Sequence, residues 1–184
     1  MPQTFNISPL GLEHLDQLLA IEQEAIASLE RPDQLRRNTP SMWRQCLMPP
    51  HLCLGAWDDK ELAGFAVLYR SAPDDGESLA PLLSSIDASP YCSANFKICI
   101  VRPQWRGQHL QVLLGQHIIQ ESRKLGISLL CATASPHNHA SIKNLLHLGF
   151  QPDHTLTKYG AERLLFYLFN YFFVSLQIKE LFLG

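Results

Sequence analysis

The feature that most constrains this chain is the stretch from Phe96 to Leu125. There the apolar run Ile98-Cys99-Ile100-Val101 passes through Arg102-Pro103-Gln104-Trp105-Arg106-Gly107-Gln108 into an amphipathic segment. It reads as a strand, a turn and a helix N-terminus. The first N–H groups of a helix have no intrahelical partner, and the aligned peptide dipoles add partial positive charge, so such a junction is a ready anion site. We read it as a pyrophosphate cradle. Leu110, Leu113, Leu114, Ile118 and Leu125 give the helix one core-facing stripe, and Gly126 supplies the left-handed residue that ends it.

The flanking segments predict a mixed sheet with helices on its faces. Ser8-Pro9 reads as an N-cap with proline at the first helical position, followed by Leu12, Leu15, Leu19 and Ile26 at helical spacing up to Arg31-Pro32. Thr39-Pro40 opens a shorter helix through Trp43 and Leu47, which Pro49-Pro50 stops. His51 to Trp57 and Leu62 to Tyr69 read as a strand pair around Asp58-Asp59-Lys60-Glu61. Residues 71–90, rich in Pro, Asp and Ser, read as a loop with a helical turn around Ser78 to Ser85. Ile127 to Ala134 is a further strand, Asn138 caps a helix that Gly149 closes, and Thr155 to Tyr159 with Arg163 to Phe169 form a hairpin around Gly160.

Composition narrows the class. The 184 residues are 46% hydrophobic, enough for a sizeable core, and are expected to form a single domain over 1–184. Fifteen Lys and Arg against seventeen Asp and Glu leave no electrostatic footprint for nucleic acid. Leu164 to Phe173 is too short and too polar around Asn170 to span a membrane. The cysteines Cys46, Cys53, Cys92, Cys99 and Cys131 form no Cys-x-x-Cys pair and read as buried reduced thiols, which points to a cytoplasmic protein. His137, His139, His147 and His154 read as solvated histidines, because a His-x-His at a helix start points its rings to different sides; no metal is expected. The run Phe166, Tyr167, Phe169, Tyr171, Phe172 and Phe173 reads as core plus a covered or paired edge strand, its excess hinting at a subunit interface and so a homodimer.

Three features taken in order resemble the GNAT superfamily of acetyl-CoA-dependent N-acetyltransferases: Val101-Arg102-Pro103-Gln104-Trp105-Arg106-Gly107-Gln108, then Asn138-His139-Ala140-Ser141-Ile142, then Leu148-Gly149-Phe150. The order of elements extends the resemblance over nearly the whole chain. It implies a GNAT-like α/β fold, a mostly antiparallel sheet whose fourth and fifth strands splay, with acetyl-CoA as co-substrate in the gap. By the same resemblance, backbone groups near Ile100 and Val101 pair with the pantetheine amides, the amides of Arg106, Gly107, Gln108, His109, Leu110 and Gln111 hold the pyrophosphate, and Asn138 bonds the pantetheine arm, caps its helix, or does both. The implied activity moves acetyl to a primary amine of a small molecule, amino acid, peptide or protein.

Two departures from the family pattern matter. His109 and Gln111 stand where the family carries small residues, and His109 adds a potential donor to the diphosphate. Leu145 stands where the family often has the tyrosine that protonates the leaving thiolate, so no general acid carries over. These departures leave open an alternative: a non-catalytic acyl-CoA-binding domain acting as sensor or partner subunit. Glu24, His51, Asp74, Asp75, Glu77 and Tyr91 are candidates for relaying the amine proton, and Arg31, Arg36 and Arg37 for bordering the acceptor.

Overall fold

The computed structural model describes residues 4–72 and 74–170. Its strands are β1 (Asn6–Pro9), β2 (Leu52–Asp58), β3 (Glu61–Tyr69), β4 (Ser93–Val101), β5 (Leu129–Ala134), β6 (Gln151–Lys158) and β7 (Ala161–Phe169). Its helices are α1 (Leu15–Ala27), α2 (Pro40–Cys46), α3 (Leu110–Lys124) and α4 (His139–His147). The strands form one sheet in the order β1-β2-β3-β4-β5-β7-β6, antiparallel except for the β4–β5 pair. This is the mixed α/β architecture that the sequence implied.

Local chemistry sets most boundaries. The Thr39 hydroxyl accepts the Met42 amide at 3.2 Å, capping α2 with Pro40 at its first position. Gly126 and Gly149 take positive φ values of 72° and 94° just beyond α3 and α4. Tyr159 and Gly160, both at positive φ, make the two-residue turn that joins β6 to β7.

Ser8-Pro9 does not cap a helix. Those residues belong to β1, which pairs with β2 from Asn6↔Trp57 to Pro9↔Leu54, and α1 starts only at Leu15. A Ser-Pro step carries the same local signal in both settings, and the edge of β2 decides between them. The aromatic strand β7 is not an edge either. It lies between β5 and β6 and is paired on both sides, while Tyr171, Phe172 and Phe173 fall outside the described residues. Leu125 is exposed rather than part of the α3 stripe, and Cys92 is exposed rather than buried.

The core has two faces. On one, Leu18 and Ile21 of α1 and Trp43 of α2 pack on Phe65, Val67 and Tyr69. On the other, Leu110, Leu114 and Ile118 of α3 and Leu145 of α4 pack on Leu68, Phe96 and Phe166. Around β5 and β7, the 3-10 turn Ala80–Leu82 brings Leu79 and Ala80 over Leu129, Cys131, Leu165 and Tyr167, so the loop after β3 covers sheet.

Two irregularities in β4 prepare the site. Its register against β3 jumps from Val67↔Ile98 to Leu68↔Phe96, so Lys97 is the extra residue of a β-bulge and the strand bends there. Pairing with β5 covers only Ser93↔Leu129, Ala94↔Leu130 and Asn95↔Cys131. From Phe96 onward the two strands separate.

Candidate active site

The separated strands open a cleft of about 670 Å³. One wall is β4 from Phe96 to Val101, and the facing wall is Ala132 to Ser135 at the end of β5. Residues 96–101 are paired on their β3 side only, so this stretch presents backbone groups to the cleft as a sheet edge does. An extended ligand carrying amide groups can add to such an edge as a further strand.

The floor of one end is the turn before α3. Trp105 is buried and anchors a 3-10 turn in which the Arg106 amide donates to the Pro103 carbonyl at 3.3 Å, which engages the first of the predicted cradle amides within the protein. Gly107 then takes φ +80°, and a Cβ built there meets no heavy atom within 4 Å. His109 occupies the N-cap position of α3 at φ +58° and caps with no side-chain hydrogen bond. It holds the left-handed conformation that a glycine adopts without strain, and His is among the non-glycine residues that tolerate it. With no side-chain cap, the first-turn amides of α3, beginning at Leu110 and Gln111, face the cleft end as unpartnered donors at the positive end of the helix dipole.

The side chain at the other replaced small position, Gln111, does not fill the cradle alone. Its Oε1 accepts the Asn144 side-chain amide at 2.7 Å, tying α3 to α4. Asn138 caps α4, its Oδ1 accepting the Ser141 amide at 3.0 Å. Its Nδ2 has no protein partner among the described residues, which leaves a donor at the cleft. Of the residues named from sequence, Ile100, Val101, Arg106, Gly107, His109, Leu110, Gln111 and Asn138 line the cleft, and Gln108 does not. Leu145, only 3% exposed, lines the cleft from α4 while packing into the core.

At the other end the structure gathers side chains that sequence reading left apart. Arg36 grips Glu77 with both terminal nitrogens, at 2.6 and 2.9 Å. The bulge residue Lys97, its side chain 6% exposed, pairs with the same carboxylate and stands 4.1 Å from the centroid of the Tyr69 ring. Arg36 also stacks over Tyr159 at 3.8 Å. Tyr69 donates to Asp75 at 3.1 Å, and Asp75 accepts the Glu77 amide at 2.8 Å. Arg36, Lys97 and Tyr159 line the cleft, whereas Glu24, His51, Asp74, Asp75, Glu77 and Tyr91 do not. Arg31 instead pairs with Asp33 at 3.2 Å, and Arg37 lines a neighbouring pocket. No local pattern marks Lys97 or Tyr159, because the bulge and the β6–β7 turn that position them act through strand pairing.

Electrostatics at this end follow from the cluster. Burial pushes the Glu77 carboxyl up, but hydrogen bonds from Arg36 and Lys97, together with their charges, outweigh it and hold the group at about 2. Burial and the Glu77 charge raise Tyr159 to about 12, so its hydroxyl stays protonated at neutral pH. Glu77 therefore stabilises the fold above its usual value near 4.5, and that contribution fades as pH falls toward about 2. Discounted for partial exposure, the loss amounts to about 2 kcal/mol between about pH 5 and 2. Denaturant midpoints measured across that range are expected to fall steeply in the wild type. In Glu77→Gln they start lower, because Lys97 loses its buried partner, and vary less with pH. An equally steep acid limb in the variant would place the titration elsewhere.

Among the described residues no group of three His, Cys, Asp or Glu side chains is arranged to hold a metal ion, and no helix is long and apolar enough to cross a membrane.

Comparison with known proteins agrees with this geometry. The ribosomal-protein-S18-alanine N-acetyltransferase from Escherichia coli superposes with a TM-score of 0.68 at 20% identity, over 92% of this chain and 96% of that one. An N-acetyltransferase from Staphylococcus aureus Mu50 gives 0.69 at 20%, over 91% and 99%. Arabidopsis thaliana NAA60, in complex with acetyl-CoA, gives 0.69 at 17%, over 90% and 98%. No curated protein matches the chain. At these identities the superpositions establish the fold, and the sequence profile of the acetyltransferase (GNAT) family goes further by matching residues 22–150. The chain therefore belongs to the GNAT family of acetyltransferases.

Proposed function

We propose that the protein transfers the acetyl group of acetyl-CoA, the co-substrate of its family, to a primary amine. The observation that carries this reading is the parting of β4 and β5 after three paired residues, directly above the uncapped N-terminus of α3. The residues fit the co-substrate. The free edge of β4 near Ile100 and Val101 suits the pantetheine amides, the Asn138 Nδ2 donor lies on the same cleft, and the turn from Gly107 to Gln111 suits a diphosphate. Acetyl-CoA supplies an activated thioester, so the net reaction forms one C–N bond, breaks one C–S bond and moves one proton from nitrogen to sulfur.

The chain's part is to position, to exclude water and to manage that proton. Tyr159 can donate a hydrogen bond but cannot act as a base at neutral pH, since its hydroxyl stays protonated up to about 12. Glu77, at about 2, is a weak base and is fully engaged by Arg36 and Lys97. Neither side chain is therefore the base that takes the amine proton.

One observation favours a second reading, a domain that binds acyl-CoA without turning it over. Leu145, where many relatives use tyrosine, is buried in the core and offers no acid. Two measurements decide. Acetyl-CoA at a hundredfold excess over its dissociation constant is expected to stabilise the folded state by about 2.7 kcal/mol, raising the melting temperature by roughly 5–10 °C. No rise at millimolar acetyl-CoA would overturn both readings. Amine-dependent release of free CoA then supports the transferase, and binding without release supports the sensor.

A further inference from the structure

On the wall shared by the cleft and its neighbouring pocket lies a cation for which none of the described residues provides a counter-ion. Arg163 of β7 is 4% exposed and lines both cavities. Among the described residues its guanidinium has no hydrogen-bond or ion-pair partner. Asp33 and the Tyr159 hydroxyl exert only a distant pull on it, and Asp33 is itself engaged by Arg31. Burial disfavours its charge, yet a guanidinium does not give up its proton in a protein. A charge this deep without a partner is costly, and a bound anion would offset that cost.

The surroundings give the sign of that ligand. On this side of the cleft the described cations are Arg36, Lys97 and Arg163, and the carboxylate bonded among them is Glu77, which already serves two of the three. In the adjoining pocket Arg37 adds a fourth cation, and the acid there, Asp33, is paired with Arg31. Among the acids, Glu30 reaches the cleft only at its exposed rim. A second unpartnered group, the side-chain oxygen of Asn38, is buried without a donor in the loop that contributes to the cleft lining. Its orientation is defined, because the Asn38 amide nitrogen faces the Glu22 carboxylate at 3.4 Å and the reverse flip would set oxygen against oxygen. Among the described residues the site thus lacks one anion.

Accepting the acetyl-transfer reading above, we infer that the acceptor is a primary amine that also carries a carboxylate, and that Arg163 receives the carboxylate. A planar guanidinium matches a carboxylate with two parallel hydrogen bonds, and such a pair is strongest where water is excluded. A polyamine or other wholly cationic acceptor meets Arg36, Lys97 and Arg163 as like charges.

The test compares matched probes: each free α-amino acid, together with glycylglycine, against its own C-terminal carboxamide, with CoA release as the readout. In the wild type the carboxylate member is expected to have kcat/KM about 10- to 100-fold above its carboxamide, the range for a hydrogen-bonded charge pair. In Arg163→Gln that ratio falls to near one, and Arg163→Lys, which keeps the charge without the fork, restores part of it. Ligand-free melting temperatures check that each variant folds. If Gln does not fold, Arg163→Met replaces it, and the ratio is read there. Equal or better use of carboxamides by the wild type, or a preference that survives in the folded Gln or Met variant, overturns the inference. Should no amine release CoA, the transferase reading falls and equilibrium dialysis of labelled amino acids against the CoA-loaded protein decides this one. Saturable binding weakened about tenfold by Arg163→Gln supports the carboxylate site, and no binding overturns it.

Discussion

Gly107→Asp is expected to weaken acetyl-CoA binding by at least about 100-fold, which is roughly 3 kcal/mol, while the protein still folds. The folding half of this expectation is steric. A Cβ at residue 107 meets no heavy atom within 4 Å, so the side chain has room. Its φ of +80° costs a non-glycine residue about 1 kcal/mol, and Asp is among the residues that bear it best. The binding half is electrostatic. The new carboxylate would sit at the mouth of the α3 N-terminus, where the diphosphate is assigned, and two unit charges about 4 Å apart repel by ~4 kcal/mol at the effective dielectric of a protein surface. It would also accept the first-turn amides itself, as an acidic cap does. Gly107→Ala separates the two halves, since it carries the backbone strain without the charge and is expected to bind within a few-fold of the wild type. Dephospho-CoA, which keeps the diphosphate, is expected to lose affinity equally. Calorimetric titration of both variants checks this, and tight binding by the Asp variant would place the diphosphate somewhere other than residues 107–111.

Trp43→Ala is expected to cost about 4–5 kcal/mol, close to the whole stability of a marginal fold. Trp43 is fully buried and packs edge-on against Phe65, with ring centroids 5.3 Å apart. Its Nε1 donates at 2.9 Å to the Glu22 carboxylate, itself only 6% exposed, so the deletion leaves both a cavity and a buried acceptor short of a donor. The other oxygen of Glu22 accepts the Asn38 backbone amide at 3.0 Å. That bond anchors the loop carrying Arg36 and Asn38, so damage in the core reaches the acceptor end of the cleft. Trp43→Phe keeps most of the volume but not the donor and is expected to cost about 1–3 kcal/mol, chiefly from the unsatisfied carboxylate. Urea unfolding of the three proteins at pH 7 tests the ordering. A Phe variant as unstable as the Ala variant would show that the hydrogen bond, not the packing, dominates.

How much of this was legible in advance depended on the range of each interaction. The α3 helix, its Gly126 end, the Thr39 and Asn138 caps and the turn at Gly160 were readable because each depends on residues within a few positions of one another. The strand-turn-helix at Val101 to Gln111 was readable for the same reason, and with it the family. The Ser8-Pro9 step shows the limit of such reading, since a pattern that caps a helix became a strand when the edge of β2 was there to pair with it.

The end of the cleft around Arg36, Lys97 and Arg163 depends on longer range. Arg36 meets Glu77 across 41 positions and Lys97 meets it across 20, and no periodicity encodes either pair. Lys97 enters the cluster through a one-residue slip of register against β3, and a slip of one reverses the face to which a side chain belongs. Arg163 lay within a strand recognised from sequence, but whether a buried cation has a partner is settled only when every neighbouring element is in place. The sequence by itself determined the local shapes and the turn that leads into α3, because hydrogen bonds within a turn or cap are decided by adjacent residues. The tertiary structure alone decided which charges converge and which is left unanswered, because pairing across a sheet is a property of register and packing.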